Sequence, residues 1–221
     1  MKRSAVALLI ILLAVCFHAS AFPLDSEGVN SFDRTFMNSY DRVKDNAATV
    51  LEIAAMATPA VLLGEDTNQY VTIGLMYAET LALTWGTTEI IKHLVGRPRP
   101  YMYYDGYPQA KVDSGDWDDS FPSGHTAMSF AGASFASYVF WKYNPESKWR
   151  SPVTAISCSL ATAVAVLRVA SGNHFVTDVL AGALIGTAIG IGVPALHTLF
   201  TDKDIEVSVS PFGLVFSRSY K

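Results

Sequence analysis

Charge is scarce in this chain. Only 16% of the 221 residues are charged, against about 25% in an ordinary soluble domain, while 50% are hydrophobic. With a mean hydropathy of +0.26, that thin charge points to a membrane protein. The net charge of -4 is mild and gives no basic stripe, so no nucleic-acid partner is expected. Cysteine is scarce as well. Cys16 and Cys158 both sit inside apolar runs, which argues against a disulfide framework and a Cys-based metal centre. There is no long-period repeat and no low-complexity stretch. The length suits one domain with a targeting segment attached.

The N-terminus supplies that segment. Lys2 and Arg3 precede the apolar run Ala5 to Phe17, and Ala19-Ser20-Ala21 is a small-residue cleavage pattern that would leave Phe22 first. Residues 1–21 are therefore a signal peptide or, if uncleaved, a first membrane helix; either way the chain after position 22 starts outside the cytoplasm. Residues 22–46 mix charges of both signs, and Phe32, Phe36 and Tyr40 recur at helical spacing, which predicts an amphipathic exported segment. Five apolar segments follow, over 47–64, 70–91, 126–141, 152–167 and 179–200. They are rich in Ala, Gly, Ser and Thr, and Gly182, Gly186 and Gly190 line one face of the last. The tail 201–221 alternates around Pro211-Phe212-Gly213 and reads as a short hairpin.

If 22–46 lies outside, the loop 142–151 lies inside, and Lys142, Lys148 and Arg150 there obey the positive-inside rule. Loop 92–125 lies outside yet carries Lys92, Arg97, Arg99 and Lys111, which calls for a functional reason. Glu52, Glu79 and Glu89 fall within the apolar segments, where an ionisable group is either functional or paired.

Three polar clusters lie at segment ends on the same side: Lys92 with Arg99-Pro100, then Pro122-Ser123-Gly124-His125, then Arg168 with His174 and Asp178. Lys92, Arg99 and Arg168 would repel one another unless an anion sat among them. Phosphate fits, because Arg presents a planar donor fork and Lys a point charge. Ser123 adds a hydroxyl, Gly124 allows close backbone approach, and the helix start offers free N–H groups. His174 precedes Asp178 by four residues, so a carboxylate could fix its tautomer and free the other nitrogen for attack. His125 is placed to protonate a leaving oxygen. Asp113, Asp116, Asp118 and Asp119 lack ligand-like spacing and read as a solvated loop, while His18, His93 and His197 read as structural. Tyr101, Tyr103, Tyr104 and Trp117 suit a substrate mouth or a membrane interface equally well.

This pattern resembles the type 2 phosphatidic acid phosphatase and haloperoxidase superfamily. Its first motif, Lys, six residues, Arg-Pro, is matched by Lys92 to Pro100, and its second, Pro-Ser-Gly-His, by Pro122 to His125. Its third, Ser-Arg, five residues, His, three residues, Asp, is matched by Arg168, His174 and Asp178, with Leu167 in place of the Ser. The resemblance covers about 47–200 and implies an all-helical bundle with five or six transmembrane helices. It implies a metal-independent phosphatase with no cofactor. His174 would be the phosphoryl-accepting nucleophile, Asp178 its orienting partner and His125 the acid. Lys92, Arg99, Ser123, Gly124 and Arg168 would hold phosphate. The expected partners are a membrane and a phosphorylated lipid, and the expected place is a bacterial inner membrane with the site facing the periplasm. A soluble periplasmic acid phosphatase of the same superfamily, a vanadate haloperoxidase, and a transporter or lipid-binding protein using Glu79 are the competing readings.

Overall fold

The computed structural model describes residues 29–62, 67–201, 205–210 and 213–218; the export signal expected over 1–21 lies outside them. The elements run α1 (Ser31–Thr35), α2 (Arg42–Met56), α3 (Thr67–Val95), α4 (Gln109–Asp113), α5 (Gly124–Tyr143), α6 (Arg150–Ala170) and α7 (Val176–Thr201). Short 3-10 turns follow α2 and flank α4. Strands β1 (Ile205–Ser210) and β2 (Gly213–Arg218) pair antiparallel, with Ile205 opposite Arg218 and Ser210 opposite Gly213. The long helices α3, α5, α6 and α7 take up four of the five apolar segments, while the first, 47–64, is divided between α2 and the 3-10 turn Thr58–Leu62.

Residues 22–46 do not form one amphipathic helix over their described part. α1 ends at Thr35, and α2 begins anew where the Asp41 carboxylate accepts from Val43 N at 3.0 Å and Lys44 N at 3.1 Å. The stretch between is tied to the end of α6 instead. Asp41 N donates to Ser171 O at 3.1 Å, and Asn38 Nδ2 donates to Val169 O at 3.3 Å. Gly172 makes that approach possible: its φ is +72°, and a Cβ there would lie 2.5 Å from the carbonyl oxygens of Asn38 and Ser39.

α5 is the central helix, packed by α2, α3, α6 and α7. Its small side chains Ala127, Ala131, Ala133 and Ala136 are fully buried. The glycine face of α7 lies on it backbone to backbone. A Cβ on Gly182 would sit 2.5 Å from Ser123 O, one on Gly190 2.6 Å from Ala131 O, and one on Gly186 would collide with Ala127 O. This close crossing fixes the start of α5 against the start of α7. The large side chains gather towards the other end of α5, where Phe135, Val139 and Phe140 meet Leu62, Ile73, Met76 and Val193.

Among the described residues, two helices are long and apolar enough to cross a membrane by length and composition, Arg150–Ala170 and Val176–Leu199. Large apolar side chains also face outward on α3 (Val71, Leu75, Leu83, Trp85, Ile90, Leu94). The three acids within the apolar segments each have a basic partner. Glu52 Oε2 lies 3.4 Å from His125 Nε2, Glu79 Oε2 lies 2.7 Å from His197 Nε2, and Glu89 Oε1 accepts from Lys92 Nζ at 2.7 Å. His197 is thus one half of an α3–α7 contact.

Candidate active site

The C-terminal ends of α3 and α6 meet the N-terminal ends of α5 and α7, and their loops carry all three polar clusters. The turn after α6 sets the centre. Ser171 N and Gly172 N donate back to Leu167 O and Val169 O, His174 N donates to Arg168 O at 3.2 Å, and the His174 side chain is 2% exposed. Its Nδ1 lies 2.7 Å from the carbonyl oxygen of Ser120. A carbonyl only accepts, so Nδ1 carries the proton and Nε2 carries the lone pair. Nε2 accepts from Arg99 Nη1 at 3.1 Å. Burial, then Arg99 and Arg168, hold the imidazole pKa well below its ordinary value, so the ring is neutral near pH 7.

Asp178 takes a different post from the one its spacing suggests. Its nearer oxygen is 3.8 Å from His174 Nδ1. That oxygen accepts instead from Ser120 Oγ at 2.6 Å and from Phe175 N at 2.8 Å, which also caps the start of α7. Asp178 therefore reaches His174 through Ser120.

Arg99 touches this imidazole and Arg168 lies near enough to act on its charge. Arg99 Nε and Nη2 donate to Asp116 O and Oδ1, at 2.6 and 2.5 Å, leaving Nη1 for Asn173 O and His174. Arg168 pairs with Asp45, and its buried Nε–H has no hydrogen-bond partner, a donor that an anion can take. Lys92 Nζ would lie 3.5 Å from a Cβ on Gly124, so the first cluster crosses directly over the backbone of the second. Ser123 is fully buried as the N-cap of α5, accepting from Thr126 N at 3.4 Å. His125 keeps about a third of its side chain exposed, with Nε2 near Glu52 and 3.5 Å from Thr49 Oγ1. Burial and Arg168, chiefly, push its pKa down to about 3.

The structure brings every sequence-assigned residue to this one end of the bundle and adds others. Asp116 is no solvated loop residue, since it holds Arg99 and lies 3.3 Å from Lys111 Nζ. Lys111 also contacts Asp45 at 3.2 Å, so Arg168, Asp45, Lys111, Asp116 and Arg99 form a row of alternating charge. Arg97 reaches Asp178 at 2.6 Å and Asp33 at 2.8 Å. Its Arg-Pro step, repeated by Arg99-Pro100, is the one sequence signal that could have marked it. Nothing local in the sequence marks Ser120, Asp33 or Asp45. Of the aromatics, Tyr101 is fully buried and edge-on to Tyr40 at 5.9 Å, while Tyr103, Tyr104 and Trp117 stay exposed at the loop surface.

Fold and site together define an all-helical bundle that gathers a neutral, lone-pair-bearing imidazole, a second histidine and a ring of cations at one end. The model of the PAP2 superfamily matches residues 73–202, and the chain belongs to that superfamily. It is 35% identical over 137 residues to Lipid phosphate phosphatase 1 of Arabidopsis thaliana, a match covering 53% of this chain and 41% of that protein. The chain thus spans about half or less of the length of the curated relatives it matches. Two solved structures share the fold. The transmembrane PAP2 type phosphatidylglycerolphosphate phosphatase from Bacillus subtilis superposes with a TM-score of 0.53 at 19% identity, over 88% of this chain and 96% of that one. LpxE of Aquifex aeolicus gives 0.51 at 23%, over 80% and 98%.

Proposed function

We propose that the protein is a phosphatase that hydrolyses a phosphate or diphosphate ester of a membrane lipid through a phosphohistidine on His174. One observation carries the reading: His174 keeps its proton on Nδ1, donating a hydrogen bond to Ser120 O, and presents the Nε2 lone pair beside Arg99. Nε2 attacks phosphorus as the bond to the leaving oxygen breaks, and His125 donates a proton to that oxygen. His125 then takes a proton from water, the water oxygen bonds phosphorus, and the P–N bond breaks to release inorganic phosphate. Lys92, Arg99, Arg168 and the Ser123-Gly124 backbone neutralise the equatorial oxygens. An arriving phosphate dianion offsets the field of Arg168 on His125 and so favours the protonated acid.

The lipid part rests on the two apolar helices, on the outward apolar side chains of α3, and on family relatives named as lipid phosphate phosphatases. We place the protein in a bacterial inner membrane with the site towards the periplasm, the side on which the export signal would leave the loops of the cage. The test is phosphate release by detergent-purified protein in excess EDTA, wild type against His174→Ala. The panel holds phosphatidic acid, phosphatidylglycerol phosphate, undecaprenyl diphosphate, lipid A and a soluble phosphomonoester. Activity that survives EDTA, prefers a lipid and disappears in the variant supports the reading. Equal release by the variant overturns the mechanism, and preference for the soluble ester overturns the lipid assignment.

A further inference from the structure

The segment ahead of the family-matched region enters the site. Asp33, at 0% exposure, lies in α1, forty residues before that region begins at 73. Its carboxylate is fully engaged: Oδ1 accepts from Thr177 N at 3.0 Å, and Oδ2 accepts from Thr177 Oγ1 at 2.6 Å, Arg97 Nη2 at 2.8 Å and Asn30 Nδ2 at 2.8 Å. It thereby caps the first turn of α7 from outside, where a negative charge is favoured. Burial opposes its ionisation, but the Arg97 and Thr177 hydrogen bonds outweigh burial and hold its pKa below the ordinary value.

Arg97 carries the connection inward. One nitrogen, Nη1, donates to Thr177 Oγ1 at 2.8 Å and to Asp178 Oδ1 at 2.6 Å, and the guanidinium lies 3.9 Å over the Phe175 ring. Its backbone takes part too, since Arg97 O accepts from Ser120 N at 3.0 Å. Ser120 Oγ donates to Asp178 Oδ2, and Ser120 O accepts from His174 Nδ1. Ser120 is therefore held at its N–H by Arg97 and at its hydroxyl by the carboxylate that Arg97 pins. Its remaining polar atom fixes the imidazole.

We propose that Asp33 and Arg97 are positioning residues for the His174 imidazole, acting through Asp178 and Ser120, so that the exported segment before the family domain is part of the catalytic apparatus. The inference rests on the reading of His174 as nucleophile. Without Asp33, Arg97 loses one of its two carboxylates and Thr177 its cap, so Asp178 and Ser120 relax and the His174 tautomer is no longer unique. The phosphate cage of Lys92, Arg99 and Arg168 makes no contact with Asp33 and stays in place.

The experiment uses full-length protein in detergent, with Asp33→Asn and, independently, Arg97→Lys. Histidine 15N NMR, assigned by difference from His174→Gln, reads the tautomer, and steady-state phosphate release reads kcat and KM. Wild type should show His174 protonated at Nδ1 alone. Each variant should show the second tautomer and a kcat lower by about ten- to a hundredfold, with KM within about twofold. A fall in kcat with the wild-type tautomer spectrum is what a merely structural role gives, and it overturns the proposal. So does a spectrum or a kcat that stays at the wild-type value in both variants. If the tautomer shifts in the variants but wild type releases phosphate from no substrate, the positioning holds and the phosphatase reading is what fails.

Discussion

His174 Nδ1 lies 2.7 Å from Ser120 O and 3.8 Å from Asp178 Oδ2, so the atom that sets the tautomer of the imidazole is a backbone carbonyl, itself held in place by Asp178 through the Ser120 hydroxyl. Where a carboxylate alone sets it, replacement by the amide costs about 10⁴ in kcat through the wrong tautomer. Here Asp178→Asn should lose less, about ten- to a hundredfold, because Ser120 O stays opposite Nδ1 even though, without the carboxylate that holds the Ser120 hydroxyl, it no longer fixes the tautomer uniquely. His174→Ala should lose about a thousandfold or more, since it removes the proposed nucleophile. Phosphate release by the two variants, compared at saturating substrate, checks the ratio; equal losses would put Asp178 in direct command of the ring.

Arg99 cannot be exchanged for Lys. Its three nitrogens serve Asp116, Asn173 and His174 at once, a fork that an ammonium does not span. Arg99→Lys should lower kcat/KM by about ten- to a hundredfold, the range expected when one or two charge-assisted hydrogen bonds go. Initial rates at low substrate measure this directly, and activity within about twofold of wild type would show that only charge matters there.

The two site histidines make stability depend on pH in a definite sense. His174 is held well below its ordinary pKa and His125 down to about 3, both by burial first and nearby arginines next. Unfolded, each titrates near about 6.5. Between the folded and unfolded values the unfolded chain binds more protons, so their contribution is fully present above about pH 6.5 and is lost as pH falls. Measured without added phosphate, the wild-type melting midpoint should fall relative to that of His125→Gln as pH drops from about 6.5 to about 5. The same pH dependence in wild type and His125→Gln would mean that His125 is not buried neutral.

The α5–α7 crossing depends on glycine at Gly186, where a Cβ meets the Ala127 carbonyl and has the Ala131 nitrogen 2.9 Å away. These are backbone atoms and cannot rotate aside. Gly186→Ala should cost about 1–3 kcal/mol and lower the melting midpoint by about 2–10 °C. It should also reduce phosphate release, because the crossing holds Ser123 to His125 against His174 and Asp178. Gly192, with nothing within 4 Å of its Cβ position, is the control, and Gly192→Ala should leave the midpoint unchanged or slightly raised.

What the sequence made legible follows from periodicity and spacing. Apolar segments and small-residue faces marked the five long helices, because burial against a neighbour leaves a repeating trace. Lys92, Arg99, His125, Arg168, His174 and Asp178 were found because three spaced motifs carry them. Ser120 was not, since its role lies in its backbone carbonyl, which every residue has. Asp33 and Asp45 were not, since each acts on a residue far along the chain and neither has a local pattern. The run Phe32, Phe36, Tyr40 misled because helical spacing in three residues says nothing of Asp41, whose side chain starts a new helix, or of the hydrogen bonds to Val169 and Ser171 that hold the chain between.

The alternating row Arg168, Asp45, Lys111, Asp116, Arg99 bears on how turnover would end. Its three cations and two anions leave a single excess positive charge spread along the row. A phosphate entering among them shares its arginines with carboxylates that are tethered competitors, present at a concentration no solute can match. In the proposed reaction, the same two carboxylates would reclaim the guanidinium groups as inorganic phosphate departs. On the reading of His174 as nucleophile, the grip on the product would thereby be kept loose, while the imidazole and Lys92 would still face the reacting phosphorus.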